Sequence, residues 1–151
     1  FDDMKREEAL SFIVYWNKTG EVIGSCGFTH LDLKHRWCRT GRIIHHSHWG
    51  KGAGVECNLL MWKHGIEILD LHRIELTAFR DNLRAVKGLE SLKIPLEGIQ
   101  RETFFENGGY KDSYVYAFFD RDWPRLQKQL ETKLKVSDTL AGDPPVRCPT
   151  L

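Results

Sequence analysis

The stretch Trp49-Gly50-Lys51-Gly52-Ala53-Gly54 stands where one hydrophobic period gives way to another. Upstream, from about Thr40 to His48, the chain reads as a strand. Downstream, Val55, Leu59, Trp62, Ile66 and Leu69 recur at helical spacing and form one apolar stripe. The glycines at 50, 52 and 54 therefore join a strand to a helix expected from Gly52 to about Leu69. Glycine lets backbone come close to a ligand, and a helix start offers unpaired N–H groups and the positive end of the dipole. Two readings are open at this point: an anion cradle suited to a pyrophosphate, or a glycine-rich connection with no ligand.

The chain has 151 residues, enough for one domain with a buried core. Its 22 Lys and Arg are balanced by 21 Asp and Glu, scattered among one another, so no surface for nucleic acid or anionic membrane is advertised. Cys26, Cys38, Cys57 and Cys148 form no CxxC pair and no zinc-ribbon or disulfide spacing. Cys26 and Cys57 fall within apolar patterns, where a buried thiol is expected. No leader opens the chain and no apolar run reaches membrane-spanning length, which together point to the cytoplasm.

Taken in order, Asp2 to Leu10 reads as the tail of a helix, and 11–16 as a strand. The turn at 17–21 leads to a partner strand at 22–29, and a connection at 32–36 leads to the strand that delivers the glycine turn. Short connections make these three an antiparallel meander. After the long helix, 73–79 alternates apolar and polar as a half-buried strand. Asp81 or Asn82 can cap the next helix, which carries Leu83, Val86, Leu89 and Leu92 on one face and is stopped by Pro95. Two further strands flank the hairpin turn Asn107-Gly108-Gly109, and Pro124 begins a last helix. The expectation is an α+β fold, a mixed and mainly antiparallel sheet with helices on its faces, filling one domain over 1–136 before a mobile tail at 137–151.

These residues resemble the GNAT superfamily of acetyl-CoA-dependent N-acetyltransferases, and within it the RimJ/RimL-type branch. The family's loop reads Gln/Arg-x-x-Gly-x-Gly/Ala, and Trp49 to Gly54 fills it with Trp in the first position. Leu71-His72-Arg73-Ile74-Glu75-Leu76 is similar to the strand after the loop helix, and Asn82 to the Asn before the next helix. Glu97 to Glu102, then Gly109 to Asp112, and Asp122-Trp123 are similar to the C-terminal hairpin and its exit, so the likeness runs from about Ser11 to Trp123. The resemblance implies acetyl-CoA as cosubstrate and a primary amine as acceptor, either a protein N-terminus or a small molecule; no metal is expected, because three histidines on one strand suit zinc poorly and no carboxylate or Cys stands at metal spacing. It implies a monomer or homodimer, and the balanced charge already argues against a nucleic-acid or membrane partner. The resemblance places acetyl-CoA in a splay between two central strands. Backbone of Ile43, Ile44 and His45 would bond the pantetheine, amides of Gly50, Lys51, Gly52, Ala53 and Gly54 would cradle the pyrophosphate, Asn82 would reach the pantetheine, and Lys87 would meet nucleotide phosphates.

The departures carry equal weight. Where most of the superfamily has an acidic Tyr this chain has Leu89, and where the branch often has Ser it has Ala85. The Gly-Phe that ends the family's helix is Lys93-Ile94, and the family's first strand and first helix are expected to be abbreviated. A CoA-binding protein with weak or no transferase activity is therefore the alternative to an active enzyme. Acyl transfer by direct attack needs a neutral amine, and a base tuned near neutrality helps to supply it. Of His45, His46 and His48, strand alternation would put His46 and His48 on one face, with His46 the candidate base. Polar lining is the competing account of all three. Tyr110, near the turn on the acceptor side, is the candidate acid. Glu56 at the helix start fits a dipole-stabilising role.

Overall fold

The computed structural model describes residues 8–141, with side-chain burial defined for 9–136. Three strands, β1 (Glu8–Trp16), β2 (Glu21–Asp32) and β3 (Trp37–Ile44), form the antiparallel meander. Helix α1 (Ala53–Lys63) leads through a π-helical turn (His64–Ile68) to β4 (Arg73–Phe79). Then come α2 (Leu83–Ser91), the hairpin β5 (Leu96–Glu106) and β6 (Gly109–Phe119), and α3 (Trp123–Ala141). The six strands make one sheet in the order β1-β2-β3-β4-β6-β5. This is the α+β arrangement and the element order expected from the sequence. No helix among the described residues is long and apolar enough to cross a membrane.

Four local expectations are corrected. Glu8, Ala9 and Leu10 belong to β1, not to a helix, because they pair along β2 from Glu8↔Leu31; residues 2–7 lie outside the described residues. β3 ends at Ile44, and His46–His48 turn as a 3-10 helix. There, Ser47 Oγ lies 2.8 Å from both His45 Nδ1 and His48 Nδ1, and His48 N donates to His45 O at 3.0 Å. Such local bonds compete successfully with a strand ladder. The α-helix ends at Lys63, and the next turn widens so that Leu69 N donates to His64 O, five residues back. Gly65 sits in that turn in a tight place, since a Cβ would lie 3.1 Å from the Phe28 ring and 3.2 Å from the Ile74 side chain. Finally, α3 begins at Trp123 and runs on to Ala141, past the expected boundary at 136; residues 142–151, Cys148 among them, lie outside the described residues.

The helices do not flank both faces. β3–α1–β4 and β4–α2–β5 are parallel crossovers that step the same way across the sheet, and right-handed connections lay both helices on one face. Trp62 of α1 packs on Phe118 of β6 with ring centroids 4.9 Å apart, and Trp123 of α3 donates to Glu67 Oε1 at 2.9 Å. Phe28, Trp62, Leu71, Ile74, Phe118 and Leu126 are fully buried in this layer. Burying side chains of this size contributes about 1.5–3 kcal/mol each. Cys26, Cys38 and Cys57 are buried and in no disulfide, and burial pushes the Cys38 thiol up to about 12.

The opposite face carries exposed Ile13, Tyr15, Val22 and Ile43, and a row of charges. Arg39 donates to Glu75 at 2.6 and 2.8 Å, and Arg73 holds Glu97 with two bonds of 2.8 and 2.6 Å. The hydrogen bonds from Arg73 hold the Glu97 carboxyl below its ordinary value of 4.5. A lowered carboxylate contributes stability that is complete above the unfolded value and is lost as pH falls through the folded one. Glu97→Gln should therefore melt below the parent at neutral pH, with the gap closing as pH drops below about 4.5. Melts across that range check this, and a gap that stays constant in acid would assign Glu97 no titrating role.

Candidate functional site

The site begins where β3 and β4 part. They pair over Trp37↔Arg73, Cys38↔Ile74, Arg39↔Glu75 and Thr40↔Leu76, and no further. Beyond that rung β3 stays with β2, through Ser25↔Ile43 and Gly24↔Ile44, while β4 stays with β6 as far as Phe79↔Ser113. Two parallel strands thus separate into a wedge, and 41–44 present strand edge to it. Ile43 is 74% exposed there. At the base of the wedge Thr40 Oγ1 is buried without a protein hydrogen-bond partner, as is the Tyr116 hydroxyl one strand beyond Leu76 on the same rung.

The glycine turn closes the open end of the wedge on the β3 side. Gly50 has φ 79° and Gly52 φ 85°, left-handed values that glycine adopts without strain. Gly52 precedes α1, and Val55 N and Glu56 N both donate to its carbonyl, at 2.9 and 3.0 Å. No side chain caps this helix, so its first N–H groups are left for another acceptor. Gly54 lies over Arg42, with Nε 3.2 Å from where a Cβ would be, and Arg42 Nη1 donates to buried Asn58 at 2.5 Å. Arg42 keeps an exposed edge, but its guanidinium is crowded by α1. That desolvation is the main cause lowering its pKa, and the charge of Arg84 acts the same way.

Trp49 lies at the lip of the wedge. Its Nε1 donates to Ile44 O at 2.7 Å, and the Arg84 guanidinium from α2 sits 3.4 Å over the ring centroid. Asn82 caps α2, accepting from Ala85 N at 3.2 Å, and Lys87 is exposed one turn further on. Lys51 reaches over Trp16, 5.9 Å from its centroid. Among the described residues none of Arg42, Lys51, Arg84 and Lys87 is in an ion pair with a carboxylate. An uncapped helix start among such cations is a fitting receptacle for an anion.

The candidate base His46 and the candidate acid Tyr110 are both exposed. His46 stacks on His45 at 4.2 Å and lies 6.3 Å from Trp49, whereas His48 is buried against Trp16 at 4.9 Å. His46 and His48 therefore do not share a strand face. Tyr110 is 67% exposed and packs on Phe105 at 5.1 Å, three residues along β6 from the rung that ends β4. His46 and Tyr110 thus belong to opposite banks of the wedge. Leu89 is buried under α2 and Ala85 half-buried beside it. Glu56 is 7% exposed inside the first turn of α1. Among the described residues no three His, Cys, Asp or Glu come together as a metal site. The sequence does not single out the two arginines, Arg42 and Arg84. Their only trace there is position: Arg42 alternates with Ile43, and Arg84 follows Asn82 by two.

Residues 1–94 match the family described as Acetyltransferase (GNAT) domain. The chain is 31% identical over 116 residues to a Bacillus licheniformis protein named "Uncharacterized N-acetyltransferase p20", covering 77% of this chain and 65% of that one. It thus spans just under two thirds of that relative's length. A solved acetyltransferase-like protein from T. thermophilus superposes with a TM-score of 0.77 at 25% identity, covering 85% of this chain and 68% of that one. The spermidine/spermine N-acetyltransferase SpeG from Vibrio cholerae superposes with a TM-score of 0.71 at 27% identity, covering 77% and 69%. The chain belongs to the GNAT acetyltransferase family. The family implies acetyl-CoA, and the orphaned Thr40 hydroxyl at the base and the unpaired cations at the mouth fit a ligand that is polar along its length and anionic at one end.

Proposed function

We propose that the chain transfers an acetyl group from acetyl-CoA to a primary amine by direct attack. The observation that carries this reading is the parting of β3 from β4 after Thr40 and Leu76, directly beside the uncapped glycine turn. Backbone of the stretch Ile43, Ile44 and His45 meets the pantetheine as a further strand would, with His45 N already given to Ile23 O and Ile44 O accepting from Trp49. Amides of Gly50, Lys51, Gly52, Ala53 and Gly54 hold the pyrophosphate, with Trp49 shaping the lip and Lys87 near the nucleotide. Asn82, its oxygen committed to the α2 cap, offers its Nδ2 to the pantetheine. Acetyl-CoA supplies the acyl group as an activated thioester. His46 takes the proton of the incoming amine, and Tyr110 on the other bank returns one to the departing thiolate.

The acceptor is a protein N-terminus or a small amine. Trp49 in the loop's first position supports the RimJ/RimL-like branch, while the likeness to SpeG supports a polyamine. Three buried thiols suit a reducing cytoplasm. The second reading, CoA binding with little or no transfer, is favoured by Leu89 and Ala85, which leave the two positions of α2 where the family carries its acid without one. Thiol release from acetyl-CoA separates the two. It should be followed with spermidine, spermine, an aminoglycoside and a set of N-terminal peptides. Turnover above the amine-free rate is expected with at least one acceptor; none with any of them would leave the binding-only reading standing.

A further inference from the structure

We infer that Arg84, held on the face of Trp49, reads the 3′-phosphate of CoA and makes the site select CoA over 3′-dephospho-CoA. The inference rests on the wedge being the CoA site and adds to it a residue and a specificity. The guanidinium lies 3.4 Å over the Trp49 ring centroid, and Trp49 is itself fixed by the 2.7 Å bond from Nε1 to Ile44 O. Stacking of this kind orients a guanidinium while leaving the N–H groups on its edge available. The side chain bridges two elements, the turn after β3 and the start of α2, so its charge is placed at the lip of the wedge.

That charge is uncompensated. Arg84 is exposed, has no carboxylate partner among the described residues, and lies close enough to Arg42 for its charge to act on that guanidinium. Lys87, three residues on, shares its helix face. Gathering like charges is unfavourable unless an anion joins them. Of the phosphates that CoA carries, the pyrophosphate is already suited to the amides of the glycine turn on α1. Arg84 stands on α2, across the wedge, with its outer edge in solvent. The phosphate monoester on the ribose is the group left for it, and a planar fork meets such a group with two parallel hydrogen bonds.

The test measures equilibrium binding of CoA and of 3′-dephospho-CoA to the parent chain, Arg84→Ala, Trp49→Leu and Trp49→Phe. The parent should prefer CoA by about tenfold or more, as expected for a charge-assisted contact. Arg84→Ala should erase that preference, weakening CoA while leaving 3′-dephospho-CoA within about twofold. Trp49→Leu should lose part of it, and Trp49→Phe, which keeps a ring under the guanidinium, should retain more than Leu does. Equal weakening of both ligands in Arg84→Ala would put Arg84 on the pyrophosphate and overturn the assignment. Unchanged binding of both would overturn it as well. If the parent binds neither ligand, the wedge is not a CoA site and the proposed function fails with it, an outcome distinct from the other two.

Discussion

Gly52→Asp should reduce CoA affinity by about a hundredfold or more while leaving the chain folded, an effect of more than about 2.7 kcal/mol. Two consequences of one substitution produce this split. The residue holds φ 85° immediately before α1, a conformation that costs a residue with a Cβ about 1–2 kcal/mol. Asp is among the residues that tolerate this region, and its carboxylate caps a helix start, which offsets part of the strain. Global stability therefore changes little. The ligand is affected far more, because a fixed negative charge then occupies the N–H groups offered to a pyrophosphate. Gly52→Asn separates backbone from charge, since it makes a similar demand on φ without the charge, and should retain more affinity than Asp. Titration of CoA into the three proteins, with thermal melts alongside, decides the matter. An Asp variant that binds within about threefold of the parent would remove the turn from the binding site.

The glycine turn is legible in the sequence because two periods meet there, and no other residue serves at φ 79° and 85° so cheaply. The element order is legible for the same reason, since alternation and helical spacing are local properties. Sequence reasoning fails where a local pattern allows two outcomes. Residues 45–48 alternate no differently as a strand than as a turn, and the hydroxyl of Ser47 between two histidine rings settles it. Glu8 to Leu10 look helical from charge alone, yet an edge strand also tolerates charge, and pairing with β2 prevails. The single-sided helix layer follows from the strand order β3-β4-β6-β5, which a chain-order reading does not contain. Arg84 and Trp49 are 35 residues apart (84 minus 49), and nothing in either neighbourhood announces their contact. The glycine turn is written in one stretch; the Trp49–Arg84 contact beside it is assembled from two.

Gly24→Ala should be the most damaging single methyl in the sheet. Gly24 lies on β2 opposite Ile44, and a Cβ there would stand 2.0 Å from Ile43 O, 3.0 Å from Ile43 C and 3.1 Å from Ile44 Cα. All three are backbone atoms, so no rotamer change relieves the overlap. The strands must move apart, at an expected cost of about 3 kcal/mol, the upper end for overpacking. For a chain of this length that lowers the melting temperature by roughly 10 °C. The displacement falls on the part of β3 that has already left β4 and is held in place by β2 alone. Ile43 and Ile44 would shift together, so affinity for CoA should fall by about tenfold or more even at temperatures where the variant remains folded. Gly41→Ala is the matched control, a strand glycine beside the same wedge with no atom within 4 Å of the added carbon. It should melt close to the parent. If Gly24→Ala and Gly41→Ala melt alike, the close approach of β2 to β3 is not what positions the wedge. If Gly24→Ala is destabilised yet binds CoA with parental affinity, the backbone of Ile43 and Ile44 is not what holds the pantetheine.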